Sequence, residues 1–169
     1  MQPERAPATH VPARVRRARD GDDARAAAEL LDRFNREYEV PTPGPEFIAG
    51  RIAELDGPSF AAFIGRDGDL DVGVGVVRFR PELWSAHPEA YIAELFVVAE
   101  HRRRGLGAEL LEAMLALARE LGCARIELGT DEFDDDAHRL YERFGFSNYD
   151  PHGDGGEEDR MLVYERQLR

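Results

Sequence analysis

The sequence contains no lysine; each of its 22 strong cations is an arginine. With abundant alanine, this reads as base-composition bias in the source genome. It also means that the protein cannot be acetylated on lysine side chains of its own. Cysteine is nearly absent as well. Cys123 stands alone, which excludes an internal disulfide and any cysteine metal cluster; beside Gly122 it reads as a small buried filler. No apolar run approaches the ~18 residues of a membrane span, and the N-terminal MQPERAPATHVP lacks the apolar core of a secretory signal. Residues 1–12 read as a flexible leader before one domain at 13–169, a length that can bury a real core. A cytoplasmic protein without a membrane partner is the simplest expectation. A broad basic surface is missing too. At a net charge of −12, nucleic acid is excluded as a general partner, because phosphate binding needs a basic face.

Against that acidic background, Arg102-Arg103-Arg104 marks one spot that wants anions. Around it, YIAELFVVAEHRRRGLGAELLEAMLALAREL (91–121) organises the chain. Tyr91 to Val98 is an apolar, β-branched and aromatic run of strand length. From Leu106 onward, Leu110, Met114, Leu117 and Leu121 recur at helical spacing. A glycine turn opening a helix leaves backbone N–H groups unpaired at a positive dipole end, where anions bind readily. Three arginines beside it make phosphate the favoured visitor. The two familiar nucleotide motifs fail on residues they require. Leu110 stands where G-x-G-x-x-G needs its third glycine, and no Gly-Lys-Ser/Thr closes a P-loop.

The rest of the chain reads as mixed α/β. Residues 13–19, ARVRRAR, suggest a first, solvated edge strand, and Asp20 to Asp23 supply turn and cap chemistry. Ala27, Leu31, Phe34 and Tyr38 share one helical face; Phe47, Ile48, Ile52 and Leu55 lie in a second helix after the stiff loop 41–45. Strands follow at Ser59–Gly65 and Asp71–Phe79, joined by a hairpin turn at 66–69. Gly73 and Gly75 suggest a strand face approached closely by a helix or another backbone. A loop at 81–88 carries Trp84. After the central strand and helix 106–121, which stops at Gly122, a strand is predicted at 124–128 and a helix at 136–144. A polar loop at 150–159 and a last strand at 161–164 complete the order.

Two stretches carry a resemblance. ELFVVAEHRRRGLGAELL is similar to the acetyl-coenzyme A binding motif of the GNAT superfamily of N-acetyltransferases. That motif is a strand followed by Arg/Gln-x-x-Gly-x-Gly/Ala at a helix start, here Arg102, Gly105 and Gly107. DDDAHRLYERFGF (134–146) resembles the family's Asn-x-x-Ala-x-x-Leu-Tyr-x-x-x-Gly-Phe stretch through Ala137, Leu140, Tyr141, Gly145 and Phe146. Asp134 departs from it, standing where the family often has Asn. The resemblance covers about residues 10–168. It implies a single-domain α/β GNAT-like fold, with a mixed, partly splayed sheet of six or seven strands flanked by about four helices. The implied reaction moves the acetyl group of acetyl-CoA to a primary amine of a small molecule or peptide by direct attack, without a metal or a covalent enzyme intermediate. The implied alternative is a non-catalytic module that binds or senses coenzyme A or acyl-CoA.

The same resemblance implies roles for residues. Main-chain N–H groups of Arg103, Arg104, Gly105, Leu106, Gly107 and Ala108 would face the pyrophosphate, with Arg102 to Arg104 lending charge. Leu95, Phe96 and Val97 would pair their main chain with the pantetheine amides, and Asp134 and Ala137 belong to the cofactor site. Asp134 in place of Asn loses an amide donor there. Tyr141 is the implied general acid at the sulfur. Model values of ~10 for tyrosine and ~8.5 for a thiol make full proton transfer uphill by roughly 2 kcal/mol, so hydrogen-bond stabilisation with late proton delivery describes it better. The acceptor amine, pKa ~10.4, is neutral in only about one molecule in 2,500 at pH 7. Glu94 is the preferred base, because an acid inside an apolar strand is costly without a task. Strand alternation places it with Ile92, Phe96 and Val98; a structural ion pair is its rival, and Glu127 is a weaker candidate. The acidic run 131–136 caps a helix and could draw in a cationic acceptor. His101 reads as a turn residue and His138 as an exposed helix residue. Phe34, Tyr38, Trp84 and loops 41–45 and 81–88 are expected to line the acceptor site of a monomer or homodimer.

Overall fold

The computed structural model describes residues 12–19, 21–148 and 161–169. Most of the leader, Asp20 and the polar loop 150–159 lie outside them. In chain order the elements are β1 (Val15–Arg17), α1 (Gly21–Glu37), α2 (Pro45–Leu55), β2 (Phe60–Asp67), β3 (Leu70–Arg80) and β4 (Glu89–Val97). A short 3-10 turn, Ala99–His101, then leads to α3 (Leu106–Glu120), β5 (Arg125–Asp131), α4 (Asp135–Arg143), β6 (Ser147–Asn148) and β7 (Met161–Gln167). Among the described residues this is a seven-stranded sheet in the order β1-β2-β3-β4-β5-β7-β6. Of the pairings among the described residues, only that of β4 and β5 is parallel. β6 is too short to leave a periodic signal in the sequence. No described helix is long and apolar enough to cross a membrane.

A stripe of small residues seats the central helix. Gly65 and Gly73 face each other across β2 and β3, and Gly75 follows. A Cβ on Gly65 would lie 2.9 Å from Leu106, one on Gly73 2.9 Å from Leu110, and one on Gly75 3.1 Å from Met114. Leu106, Leu110 and Met114 are four residues apart, one ridge of α3, and all are buried. The glycine stripe therefore lets that ridge lie directly on the strands. Gly73→Val should destabilise the fold by about 1–3 kcal/mol through overpacking, read as a lowered urea midpoint with an unchanged slope.

β1 is one of the two edge strands, but its arginines are not simply solvated. Arg14 forks onto Glu109, Arg16 bridges Asp23 and Asp71, and Arg17 holds Asp56. Acidic side chains on α1, α3, β3 and the end of α2 face the edge and fix the cations there.

β4 decides where the site forms. Its ladder with β3 shifts register between Val76 and Val77, pairing Val76 with Glu94 and Val77 with Ile92. Ala93 is the extra residue of a β-bulge, which bends a strand and increases its twist. β4 pairs with β5 only from Glu89 to Ile92. Beyond the bulge the two strands part, opening a cleft in the sheet.

The bulge also changes which side chains share a face. Directly paired residues lie on the same face, so Ile92 joins Val77, Gly75 and Gly73 on the α3 side. Glu94 and Phe96 join Val76 and Val74 on the other side, where Phe96 stacks on Phe34 of α1 with ring centres 5.0 Å apart. The expectation that Glu94 and Ile92 share a face is corrected: one surplus residue between them reverses the alternation.

Candidate active site

The turn between β4 and α3 is shaped by two left-handed residues, Arg103 (φ 65°) and Gly105 (φ 83°). Successive N–H groups in such a conformation form an anion-binding concavity. Gly105 caps α3 without any side-chain hydrogen bond, and the first helical bond is Glu109 N–H to the Gly105 carbonyl. The N–H groups of Leu106, Gly107 and Ala108 therefore have no acceptor within the helix.

The three arginines of this turn reach in different directions. Arg102 donates through Nε to the Val97 carbonyl at 2.8 Å and through Nη2 to Glu37 at 2.9 Å. Arg103 pairs with Asp136 of α4, and Arg104 with Asp67 at the β2–β3 hairpin, each at 2.8 Å. Asp67 also holds His101 Nδ1 at 2.8 Å, and these partners push its carboxyl below the usual range. His101 is thus tied into the hairpin contact. Each arginine ties the turn to a neighbouring element.

The cleft edge of β4 supplies further donors and acceptors. Val98 N–H bonds to the Val72 carbonyl. In an antiparallel ladder the residues that exchange both bonds alternate, so the main-chain groups of Phe96 and Glu94 face β3. Those of Leu95 and Val97 face the cleft. Of the stretch Leu95–Val97, Phe96 is spoken for by the sheet, and the Val97 carbonyl is taken by Arg102. Leu95 N–H, Leu95 C=O and Val97 N–H point into the opening.

The second motif arrives beside the first. A Cβ on Gly107 would lie 3.7 Å from Leu140 of α4 and 3.9 Å from Val97 of β4, so the turn lies between the two. Asp134 caps α4 by accepting from Ala137 N–H at 3.0 Å, as the acidic run led us to expect. Tyr141 is buried, its ring 5.9 Å from those of Phe146 and Tyr164. Burial, and then the Asp134 carboxylate, raises its hydroxyl well above the ordinary tyrosine value. His138 is half-buried rather than exposed, because its ring stacks on Tyr164. Tyr164 pairs with Leu128, and Leu128 with Ile92, so Tyr141 and Glu94 approach from opposite sides of the sheet.

Glu94 is partly buried, and burial raises its carboxyl above the usual range, with Arg78 opposing. Glu127 is raised by burial too, but Arg125 holds it at 2.8 Å. It lies opposite Tyr91, in the closed part of the strand pair. Phe34 and Tyr38 do come to the Glu94 side, with Tyr38 edge-on to Phe34 at 5.1 Å. Trp84 does not. Loop 81–88 feeds the far end of β4, and Trp84 there is 88% exposed. Sequence reasoning also missed the ion cluster below it, in which Arg125 meets Glu82, Glu89, Glu127 and Glu165. These residues are scattered over β4, β5, β7 and loop 81–88, and charge alone does not reveal such a meeting.

Residues 26–146 match the sequence profile of the Acetyltransferase (GNAT) family. The chain belongs to that family. A crystal structure of a protein from Arthrobacter sp. FB24, classed as an acetyltransferase, is 37% identical, covers 83% of this chain and 89% of its own, and superposes with a TM-score of 0.71. The uncharacterised N-acetyltransferase YsnE of Bacillus subtilis (strain 168) is 26% identical over 146 residues, 85% of this chain and 93% of that protein. The mouse thialysine N-epsilon-acetyltransferase is 24% identical over 143 residues, 78% and 82% of the two chains. The chain is thus an N-acetyltransferase with a single-domain GNAT fold, and the family's co-substrate is acetyl-CoA. The unpaired N–H groups at the start of α3 and the open edge of β4 fit a diphosphate and an extended amide chain.

Proposed function

We propose that this GNAT protein transfers acetyl from acetyl-CoA to a primary amine by direct attack within the β4–β5 cleft. The observation that carries the reading is the juxtaposition of an unpaired strand edge with a helix N-terminus whose cap residue offers no side-chain acceptor. Acetyl-CoA, when bound, supplies an activated acyl group on a thiol leaving group. Leu106, Gly107 and Ala108, with Arg103 to Gly105 ahead of them, hold the diphosphate through main-chain N–H groups. Leu95 and Val97 align the pantetheine as an added strand, and Ala137 and Asp134 fix the α4 end of the site. Asp134, already capping α4, acts there as an acceptor and not as the amide donor common in the family.

Glu94 removes the proton of the incoming ammonium, directly or through water, on the α1 side. Its burial makes it a stronger base than an exposed carboxylate. Tyr141 waits on the opposite side as a neutral hydroxyl and donates a hydrogen bond to the departing sulfur. Phe34 and Tyr38 form the acceptor wall. The mouse relative's name points to a lysine-like side-chain amine, and the acceptor class of this chain is an amine of that kind or a peptide amine.

Calorimetry of the purified protein with coenzyme A, followed by a panel of thialysine, polyamines, aminoglycosides and peptides assayed with acetyl-CoA for thiol release, tests the reading. Heat with coenzyme A and amine-dependent thiol release are expected. Binding without release from any amine would leave a coenzyme A binding module, and no heat would remove the site altogether.

A further inference from the structure

Arg102 carries more than a phosphate-binding turn asks of it. Its Nε closes the Val97 carbonyl, its Nη2 reaches Glu37, and its Cζ lies 5.7 Å from the centre of the Phe96 ring. These partners come from the cleft edge of β4, the last turn of α1, and the acceptor face of β4. Phe96 in turn stacks on Phe34, and Phe34 meets Tyr38. One guanidinium therefore connects the strand that would align the thioester with the helix that would wall the acceptor.

We infer that Arg102 is a positioning residue and not a phosphate ligand. It locks the C-terminal turn of α1 to the open edge of β4, and so couples acceptor wall and cofactor strand. The inference rests on the acetyltransferase reading above for its functional meaning, while its geometry is independent of it. A planar guanidinium presents its donors in a fixed fork; here Nε and Nη2 are committed to two different elements, which fixes the plane over Phe96. Glu37 needs such a partner. A carboxylate in the last turn of a helix opposes the helix dipole, and an adjacent cation reverses that penalty. Beyond Glu37 the chain turns through Glu39 at φ 56° into the exposed stretch Tyr38–Val40, which the lock would steady. The bond to the Val97 carbonyl is the end of the lock on β4, as Glu37 is its end on α1.

Hydrogen exchange over residues 34–40, with and without coenzyme A, together with coenzyme A calorimetry, tests the lock in wild type, Arg102→Ala, Arg102→Lys and Glu37→Gln. In wild type, coenzyme A should slow exchange at 34–40, a signal carried from the cofactor side to α1. Arg102→Ala and Glu37→Gln should each speed basal exchange there at least fivefold and abolish the coenzyme A effect, with Kd within threefold of wild type. The double variant should be no worse than Arg102→Ala alone, since both remove one link. Arg102→Lys, whose ammonium still reaches Glu37, should regain most of the protection. A tenfold or greater loss of coenzyme A affinity in Arg102→Ala that Glu37→Gln does not share would overturn the inference, as would unchanged exchange in Glu37→Gln. Absence of heat with the wild type would instead strike the acetyltransferase reading, and the exchange arm would still decide whether the lock exists.

Discussion

Tyr141→Phe should lower kcat by about 10²-fold or more, the range of a lost hydrogen-bond donor to developing negative charge, while coenzyme A affinity stays within twofold. The ring is 7% exposed and packed against Phe146 and Tyr164. Phenylalanine fills the same volume, so the variant removes a hydroxyl and little else. A thiolate leaving beside this buried ring without a hydrogen bond keeps its charge unstabilised, which is why the loss should appear in turnover. Burial and Asp134 keep the hydroxyl protonated far into the alkaline range. Proton transfer to sulfur is then even further uphill than the ordinary values imply, so the role proposed for Tyr141 is hydrogen-bond donation. No alkaline fall in rate should belong to it. Stopped-time thiol assays and calorimetry on the variant check both halves, and unaltered turnover removes Tyr141 from the mechanism.

Glu94→Gln should cost about 10²-fold or more in kcat/KM near neutral pH, and the deficit should shrink as pH rises. The neutral fraction of an amine with pKa ~10.4 grows about tenfold per pH unit, so solvent increasingly does the work of the missing base. The wild type should lose activity on the acid side as Glu94 takes up a proton; the variant should lack that limb. Stability should change in the opposite sense. The folded-state pKa of Glu94 is raised by burial, so between the unfolded value and the raised one the native protein binds more protons. Stability then falls as pH rises through that window and levels off above it. Glutamine carries no such penalty, so the variant should match or exceed the wild type in urea midpoint near pH 8. A variant that is less stable and equally active would make Glu94 a structural acid.

Much of this was legible in the sequence. The spacing of Leu106, Leu110 and Met114 placed α3, the glycines opposite it told of a close approach, and Gly105 with Gly107 marked the turn that opens the helix. The second motif placed α4 and Tyr141. What stayed hidden depends on partners far apart in the chain. AYIAELFVV is apolar nearly throughout, so an inserted residue at Ala93 leaves no break in its pattern, and the face of Ile92 came out reversed. Arginines at 102 to 104 read as charge for a phosphate because their partners Glu37, Asp136 and Asp67 carry no local sign of the meeting. Trp84 looked like a site aromatic by type alone; the loop that holds it enters β4 from the end away from the cleft.

Ala93 has one more implication. Removing that single alanine would leave Ile92 opposite Val77 and Glu94 opposite Val76, the same partners as before, with a regular ladder in place of the kink. Every later side chain would keep its side, and the strand would lose its reason to veer from β5. An in-frame loss of one codon could thus yield a well-paired, well-folded protein whose slot for a second molecule had zipped shut.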